Sequence, residues 1–256
     1  MKTEPMQLMI EAWKLMNSRL PSPQFEQANG IASCFCDMPN MMINLWFQSK
    51  PTISAIDFSK MLVAGKLRAL NSKHMAGGIL RKDWSPSNWE ELADQNELVS
   101  MVPLISMEAD DLLPAPRLQA KIDIRRVVDE SVASDLARLN ADAYEMPFET
   151  FSDLSSMTFW QSDSYAYVGY VDNQPVSCAA AFSVMNTVYV ALVATAPHAR
   201  AKGYAEAVMR HTVIQAQQSM KITRTTLHAS LAGESLYKSM GYKSHAQLVL
   251  IGSAPE

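Results

Sequence analysis

The chain has 256 residues, 48% of them hydrophobic, and a formal net charge of −4 at neutral pH. That length suits one large domain or two small ones with a normal core, and the acidic balance argues against nucleic acid as a bulk partner. No apolar run reaches the ~18 residues of a membrane span, so no membrane partner is expected, and 3 cysteines give no disulfide framework and point to a reducing, cytoplasmic setting.

The first segment, Met1 to Met16, carries an early acidic residue and no apolar h-region, so it does not read as a signal peptide. It reads as an amphipathic helix with Met6, Met9, Ile10, Trp13, Leu15 and Met16 near one face. Strands are expected at Ile31–Cys36 and Met41–Phe47. Cys34 and Cys36 are too close for a usual zinc pair, no second pair follows, and they read as alternating strand positions. Thr52 to Leu70 reads as a helix with Ile56, Phe58, Met61, Leu62 and Leu67 apolar, and Met75–Leu80 as a strand. The Trp84–Leu92 segment holds a helix start capped by Ser or Asn, and Leu98 to Met107 is the last strand of this half. The 17 methionines indicate an adaptable core.

Two prolines in Leu112–Arg117 break the periodicity and mark a boundary. This gives a first domain at 1–115 and a second at 120–256. The second half opens with a strand at 121–127 and a helix at 129–142 with Val132, Leu136 and Leu139 at helical spacing. Strands follow at 164–171 and 174–184, joined by an Asp172-Asn173 hairpin turn. The strand at 187–195 is almost wholly apolar, as a strand buried on both faces should be. A helix at 202–217, a strand at 223–229, a helix at 232–240 and a strand at 242–251 complete the chain.

The join between strand 187–195 and the next helix is the most informative segment. Arg200-Ala201-Lys202-Gly203-Tyr204-Ala205 forms a turn into a helix start. Such a start leaves N–H groups without intrahelical partners and carries a partial positive charge. Gly203 has no Cβ to hold a phosphate away, and small Ala201 and Ala205 keep the approach open. The segment is suited to a pyrophosphate. It is neither a G-x-x-x-x-G-K-S/T loop nor a G-x-G-x-x-G turn.

Arg200-x-x-Gly203-x-Ala205 after a strand resembles the acetyl-CoA motif of the GNAT superfamily of N-acetyltransferases. Leu236-Tyr237-x-x-Met240-Gly241-Tyr242 is similar to that family's second signature, with Tyr in place of Phe, and Gly241 suits a helix stop. The resemblance implies an α/β (α+β) GNAT fold, a mixed central sheet flanked by helices. The first half resembles the degenerate GNAT-like N-terminal halves of two-domain members, through Pro39-Asn40-Met41-Met42-Ile43-Asn44 and the Trp-x-Pro-x-x-Trp-x-x-Leu segment. It has no phosphate turn, so no acyl-CoA is expected there.

The resemblance implies acetyl-CoA as co-substrate, without a metal, and an amine acceptor of unspecified identity; a homo-oligomer is compatible with it. The implied cofactor contacts are Val193, Ala194, Thr195, Arg200, Ala201, Lys202, Gly203, Tyr204, Ala205, Ser230 and Tyr237. Tyr237 stands where the family places the acid that meets the departing thiolate; the alternative is a packed aromatic lining the pantetheine path. A backbone N–H near Val193 or Thr195 would polarise the carbonyl, and the strands at 187–195 and 223–229 should splay apart there. No one residue stands out as the base: Asp142, Glu145, Tyr189 and His228 are all candidates, and His228 has a pKa range suited to base work, although a histidine one residue from a strand end is more often a structural hydrogen-bonder. Arg200 and Lys202 would screen phosphate charge, and His198 sits in the turn. His74, His211 and His245 carry no site reading. The resulting expectation is an acetyl-CoA-dependent N-acetyltransferase acting on a primary amine of a small molecule or protein. The alternative is a non-catalytic acyl-CoA-binding or sensing protein.

Overall fold

The computed structural model describes residues 3–115 and 120–253. Two residues of the expected linker, Pro116 and Arg117, lie outside this range, as do the first two of the expected N-terminal helix. The chain divides into two compact units. One contains Met1–Ser106, Ala229–Glu234 and Ser244–Glu256, and the other contains Met107–His228 and Ser235–Lys243. The division falls before Leu112, and most of the last strand is assigned to the first unit.

In the first unit, helix α1 (Pro5–Asn17) starts at Glu4, whose carboxylate accepts from the N–H groups of Met6 and Gln7. Strand β1 (Gln24–Ala28) was not expected. It pairs antiparallel with β2 (Ile31–Phe35) through Asn29-Gly30, both at positive φ (57° and 80°). Asn-Gly is the turn a two-residue hairpin requires, and β1 is hidden from pattern reading because all five of its residues are exposed.

Strand β3 (Leu45–Gln48) is shorter than expected. Met41–Ile43 form a turn, because the Asn40 side chain accepts from Met42 N–H and the Asn44 side chain donates to the Met38 and Asn40 carbonyls. Such local side-chain bonds compete with a strand ladder. Helix α2 (Ala55–Leu70) is capped by Ser54, which accepts from Asp57 N–H, and runs to strand β4 (Gly77–Arg81). Helix α3 (Trp89–Asp94) starts at Asn88, whose side chain makes no capping bond. Strand β5 (Leu98–Ala109) follows.

The pairing is β1–β2–β3 antiparallel, then β3–β4 parallel, with α2 as the crossover. Side chains alternate between two cores, as a pleated strand dictates. Ile31, Phe35 and Trp46 pack with α2 and α3, while Ala32, Cys34, Leu45 and Phe47 pack with α1.

The second unit repeats the pattern. Strand β6 (Asp123–Arg126) leads to helix α4 (Glu130–Ala143), capped by Asp129. Strands β7 (Ser164–Val171), β8 (Gln174–Val184) and β9 (Thr187–Thr195) form an antiparallel meander. Its hairpins turn at Asp172-Asn173 and Met185-Asn186, all four residues at positive φ. Helix α5 (Tyr204–Met220) crosses over to β10 (Thr225–Ser230), which is parallel to β9. Helix α6 (Leu231–Ser239) and strand β11 (Lys243–Ser253) end the described chain.

Thus β7-β8-β9-α5-β10-α6 has the element order and pairing sense of β1-β2-β3-α2-β4-α3. In the first unit the neighbour of β4 is β11 rather than β5, the strand that follows it in the chain. Within the second unit, Tyr167 packs edge-on against His211 of α5, while the Tyr170 hydroxyl donates to Asp135 of α4 at 2.6 Å. Odd and even positions of β7 therefore face helices on opposite sides of the sheet.

Candidate functional site

Strand β9 does not run straight. Ala191 pairs with Ala180 and Ala194 with Cys178, so Leu192 and Val193 together oppose Ala179. Leu192 sits at φ 53°, an uncommon conformation for a branched apolar residue. The extra residue makes a β-bulge, which bends the strand and frees backbone from the ladder. The Cys178 thiol donates to the Leu192 carbonyl at 3.4 Å and holds the bend. On the other edge, the register with β10 stops at Val190↔Leu227, although β9 continues to Thr195. The expected divergence of the two strands begins there, and Ala191, Leu192, Val193 and Thr195 are only half-buried.

Beyond β9, Ala196 N–H donates to Val176 O at 2.9 Å and Pro197–Ala199 make one 3-10 turn. Arg200 is extended, Ala201 is left-handed at φ 61°, and Gly203 is left-handed at φ 83°. Gly203 is the N-cap of α5 and makes no side-chain cap bond. The first-turn amides of α5 therefore have neither an intrahelical acceptor nor a cap. A Cβ at Gly203 would lie 3.7 Å from the Ala120 Cβ, an ordinary van der Waals contact without a clash. Ala201 and Lys202 are exposed, and Gly203, Tyr204 and Ala205 are half-buried.

One first-turn group opposes an anion: Glu206. Its side chain is 5% exposed and paired with Arg210 at 2.9 Å, and Arg210 also donates to the Leu113 carbonyl. The pair leaves the helix start without an uncompensated negative charge. Arg200 Nε lies 3.4 Å from Thr195 O. The expected turn residues are thus one continuous surface at the end of β9.

Tyr237 is buried on α6, edge-on to Tyr242 with ring centroids 6.0 Å apart. The helix ends behind it. Tyr242 N–H donates to Tyr237 O at 3.0 Å and Gly241 N–H to Lys238 O at 3.1 Å, with Gly241 at φ 102°. These two bonds make a Schellman stop. Burial raises the Tyr237 phenol above its ordinary pKa, so the hydroxyl keeps its proton. Ser230 ends β10, is exposed, and belongs to the first unit.

The base candidates divide into two groups. Tyr189 and His228 form a pair, Oη to Nδ1 at 2.8 Å. Tyr189 opposes Phe182, which packs against Phe159 and Trp160, so the pair lies on the α4 face of the sheet. Burial pushes the His228 pKa down to about 3, and its Nε2 is buried without a protein partner. Asp142 and Glu145 are exposed and line a cavity of about 650 Å³ with Asp135, Arg138, Pro197 and His198. The bulge and the Tyr189–His228 bond escape sequence reading, since no residue type announces a bulge at Leu-Val and the bond depends on the β9–β10 register.

Residues 162–244 match the family model described as acetyltransferase (GNAT) domain. No protein of curated function matches the chain. Among solved structures, it is similar to a GCN5-related N-acetyltransferase from Kribbella flavida, at 17% identity over 100% of this chain and 97% of that one, with a TM-score of 0.70. A functionally unknown conserved protein from Staphylococcus epidermidis aligns at 13% identity, 91% and 95% coverage and TM-score 0.63. A GCN5-related N-acetyltransferase from Sphaerobacter thermophilus aligns at 14% identity, 88% and 78% coverage and TM-score 0.60. The chain has the GNAT fold, and its GNAT domain match spans the bulged strand, the turn and Tyr237.

Proposed function

We propose that the protein is an acetyl-CoA-dependent N-acetyltransferase whose acceptor is a primary amine of a small molecule or protein. The observation that carries this reading is the bulged end of β9 running into an uncapped helix start behind a left-handed Gly203. The residues present fit the co-substrate. Gly203 presents no Cβ, the first-turn amides are uncommitted, and Glu206 is neutralised by Arg210. Residues 200–205 would hold the pyrophosphate, and the free edge of β9 from Val193 to Thr195 would meet the pantetheine amides. Acetyl-CoA supplies the acyl group as a thioester.

In the acyl transfer the amine nitrogen bonds to the carbonyl carbon, the C–S bond breaks, and the amine loses a proton while the thiolate gains one. A β9 N–H near Val193 or Thr195 polarises the carbonyl. Tyr237 delivers the proton to sulfur, and its raised pKa keeps the phenol protonated at neutral pH while making it the weaker acid. An alkylammonium is mostly protonated at pH 7 and must be deprotonated before attack. His228 is a poor choice for that step, because a base with a pKa near 3 holds a proton weakly. Asp142 and Glu145, on the exposed wall of the neighbouring cavity, attract a cationic acceptor.

The first half, which we read as a degenerate GNAT-like domain over 1–115, takes no part in holding acyl-CoA. The corresponding helix α2 begins with the Asp57 amide engaged by Ser54 and with the Asp57 carboxylate in its first turn, and both oppose an anion.

The test is thiol release from acetyl-CoA with a panel of polyamines, aminoglycosides and lysine peptides, run beside calorimetric acetyl-CoA binding. Binding with amine-dependent release is the expected result. Binding without release for any amine would favour the non-catalytic alternative, and absence of binding would overturn both.

A further inference from the structure

Helix α2 is apolar on two faces. Phe58, Met61, Leu62 and Gly65 are buried in the core of the first unit. On the opposite side Ile56, Val63, Leu67 and Leu70 are 69%, 45%, 54% and 65% exposed, with the exposed Lys60 between them. A surface helix ordinarily carries polar residues on the side away from its core. Positions 56, 60, 63, 67 and 70 follow the alternating four-and-three spacing of a heptad seam, the pattern by which one helix packs lengthwise on another. Ile53 before the helix and Met75 after it are also exposed, at 61% and 75%.

We propose that this stripe is a homodimer interface, in which α2 packs antiparallel on α2 of a second copy of the chain across a two-fold axis. The complement of a heptad seam is another heptad seam, and a second copy provides one with the same patch. Lys60 sets the direction. In a parallel pair in register it would meet Lys60 of the second copy inside the apolar seam, whereas the antiparallel pair separates the two ammonium groups. A single Lys on a seam specifies register and oligomer state at some loss of stability.

The rim also favours a second copy over a lipid surface. Lys66 and Arg68 are engaged within the chain by Glu97 and Glu26, so they form no free cationic belt for anionic headgroups. The α2 helix spans ~24 Å, and its apolar stripe runs from Ile56 in the first turn to Leu70 at the last residue. None of these residues belongs to the acyl-transfer site, so the dimer stands or falls independently of that activity.

Sedimentation velocity of the full chain across ~1–100 µM, the concentrations at which micromolar association is visible, tests the proposal. The wild-type chain is expected to dimerise. Leu67→Glu, an exposed position, should raise the dissociation constant at least ~30-fold, the effect of losing one central anchor. Lys60→Leu should lower it. Circular dichroism checks that each variant is folded, and should Leu67→Glu fail to fold, the direction of the Lys60→Leu change decides. A wild-type chain that stays monomeric throughout overturns the proposal, as does a dimer indifferent to both substitutions. A monomer that cosediments with phosphatidylglycerol vesicles would assign the stripe to a lipid surface instead.

Discussion

The Tyr189 hydroxyl lies 2.8 Å from Nδ1 of His228, two residues brought side by side by the parallel β9–β10 register. Burial keeps the imidazole neutral, with a pKa pushed down to about 3. The unfolded chain would protonate this ring near pH 6.5, as free histidine does. The folded state is thus the one that binds fewer protons between those values. Stability from His228 is present above pH ~6.5 and is lost as pH falls toward 3. Urea unfolding at pH 4.5 and 7.5 should show a loss of about 2–3 kcal/mol at the lower pH in the wild type, by the ~1.4 kcal/mol per pKa unit of linkage. His228→Asn should flatten this dependence. An NMR titration that finds the ring protonating near pH 6.5 in the folded protein would refute it.

The two left-handed glycines of the site should respond differently to alanine. A Cβ at Gly203 would make an ordinary van der Waals contact with Ala120 at 3.7 Å and no clash, so Gly203→Ala bears backbone strain alone, about 1–2 kcal/mol. A Cβ at Gly241 would lie 2.9 Å from Leu113 Cγ and 3.1 Å from Leu113 N. Gly241→Ala adds that clash to the strain and should cost more, about 2–4 kcal/mol. Thermal unfolding compares them. On binding the order reverses. Gly203→Asp puts a side chain and a negative charge into the proposed phosphate seat, and acetyl-CoA affinity should fall at least ~10-fold. Unchanged affinity in a folded Gly203→Asp variant would remove the pyrophosphate from this turn.

The buried Glu206–Arg210 pair should show the asymmetry of charges held out of water. Arg210→Met leaves the Glu206 carboxylate buried and uncompensated at 5% side-chain exposure. The cost should be about 3–5 kcal/mol. It should also weaken acetyl-CoA binding, since a lone carboxylate then faces the helix start. The Glu206→Gln/Arg210→Met double variant should recover much of both losses. A double variant no better than Arg210→Met would place the effect in packing around Leu113, which the Arg210 side chain also contacts.

Much of the second unit is legible in the sequence because each element there carries its own signal. Strand β9 is an unbroken apolar run, Asp172-Asn173 is a turn pair, and Gly203 and Gly241 stand where backbone must be left-handed. The first unit is harder to read. Strand β1 is exposed at all five positions and has no apolar alternation, and Met41–Ile43 look like strand until Asn40 and Asn44 claim the backbone. The seating of β11 beside β4 leaves no local trace at all, because it is decided by residues more than a hundred positions apart. The site follows the same rule. The turn and Tyr237 are contiguous motifs, while the Leu192 bulge and the His228 environment exist only through pairing between strands.

Tyr237 is the residue on which the proposed chemistry turns. It is held by a helix stop behind it and by Tyr242 beside it, so its ring position does not depend on its hydroxyl. Tyr237→Phe should therefore fold normally and bind acetyl-CoA with nearly wild-type Kd. If the phenol protonates the departing thiolate, kcat should drop, by up to the 10²–10⁴-fold a general acid typically contributes. The drop would sit at the low end where water can deliver the proton instead, since a CoA thiolate is already a fair leaving group. Because burial raises the phenol pKa, the wild-type profile should show no loss of rate from Tyr237 ionisation up to pH ~10, the ordinary tyrosine value. The measurement is turnover at saturating acetyl-CoA with an active amine, under conditions where chemistry limits the rate. A phenylalanine variant with wild-type kcat would reduce Tyr237 to a wall of the pantetheine channel. One that loses affinity while keeping kcat would show that the hydroxyl acts on ground-state binding, which changes KM and leaves the barrier from the bound state unchanged.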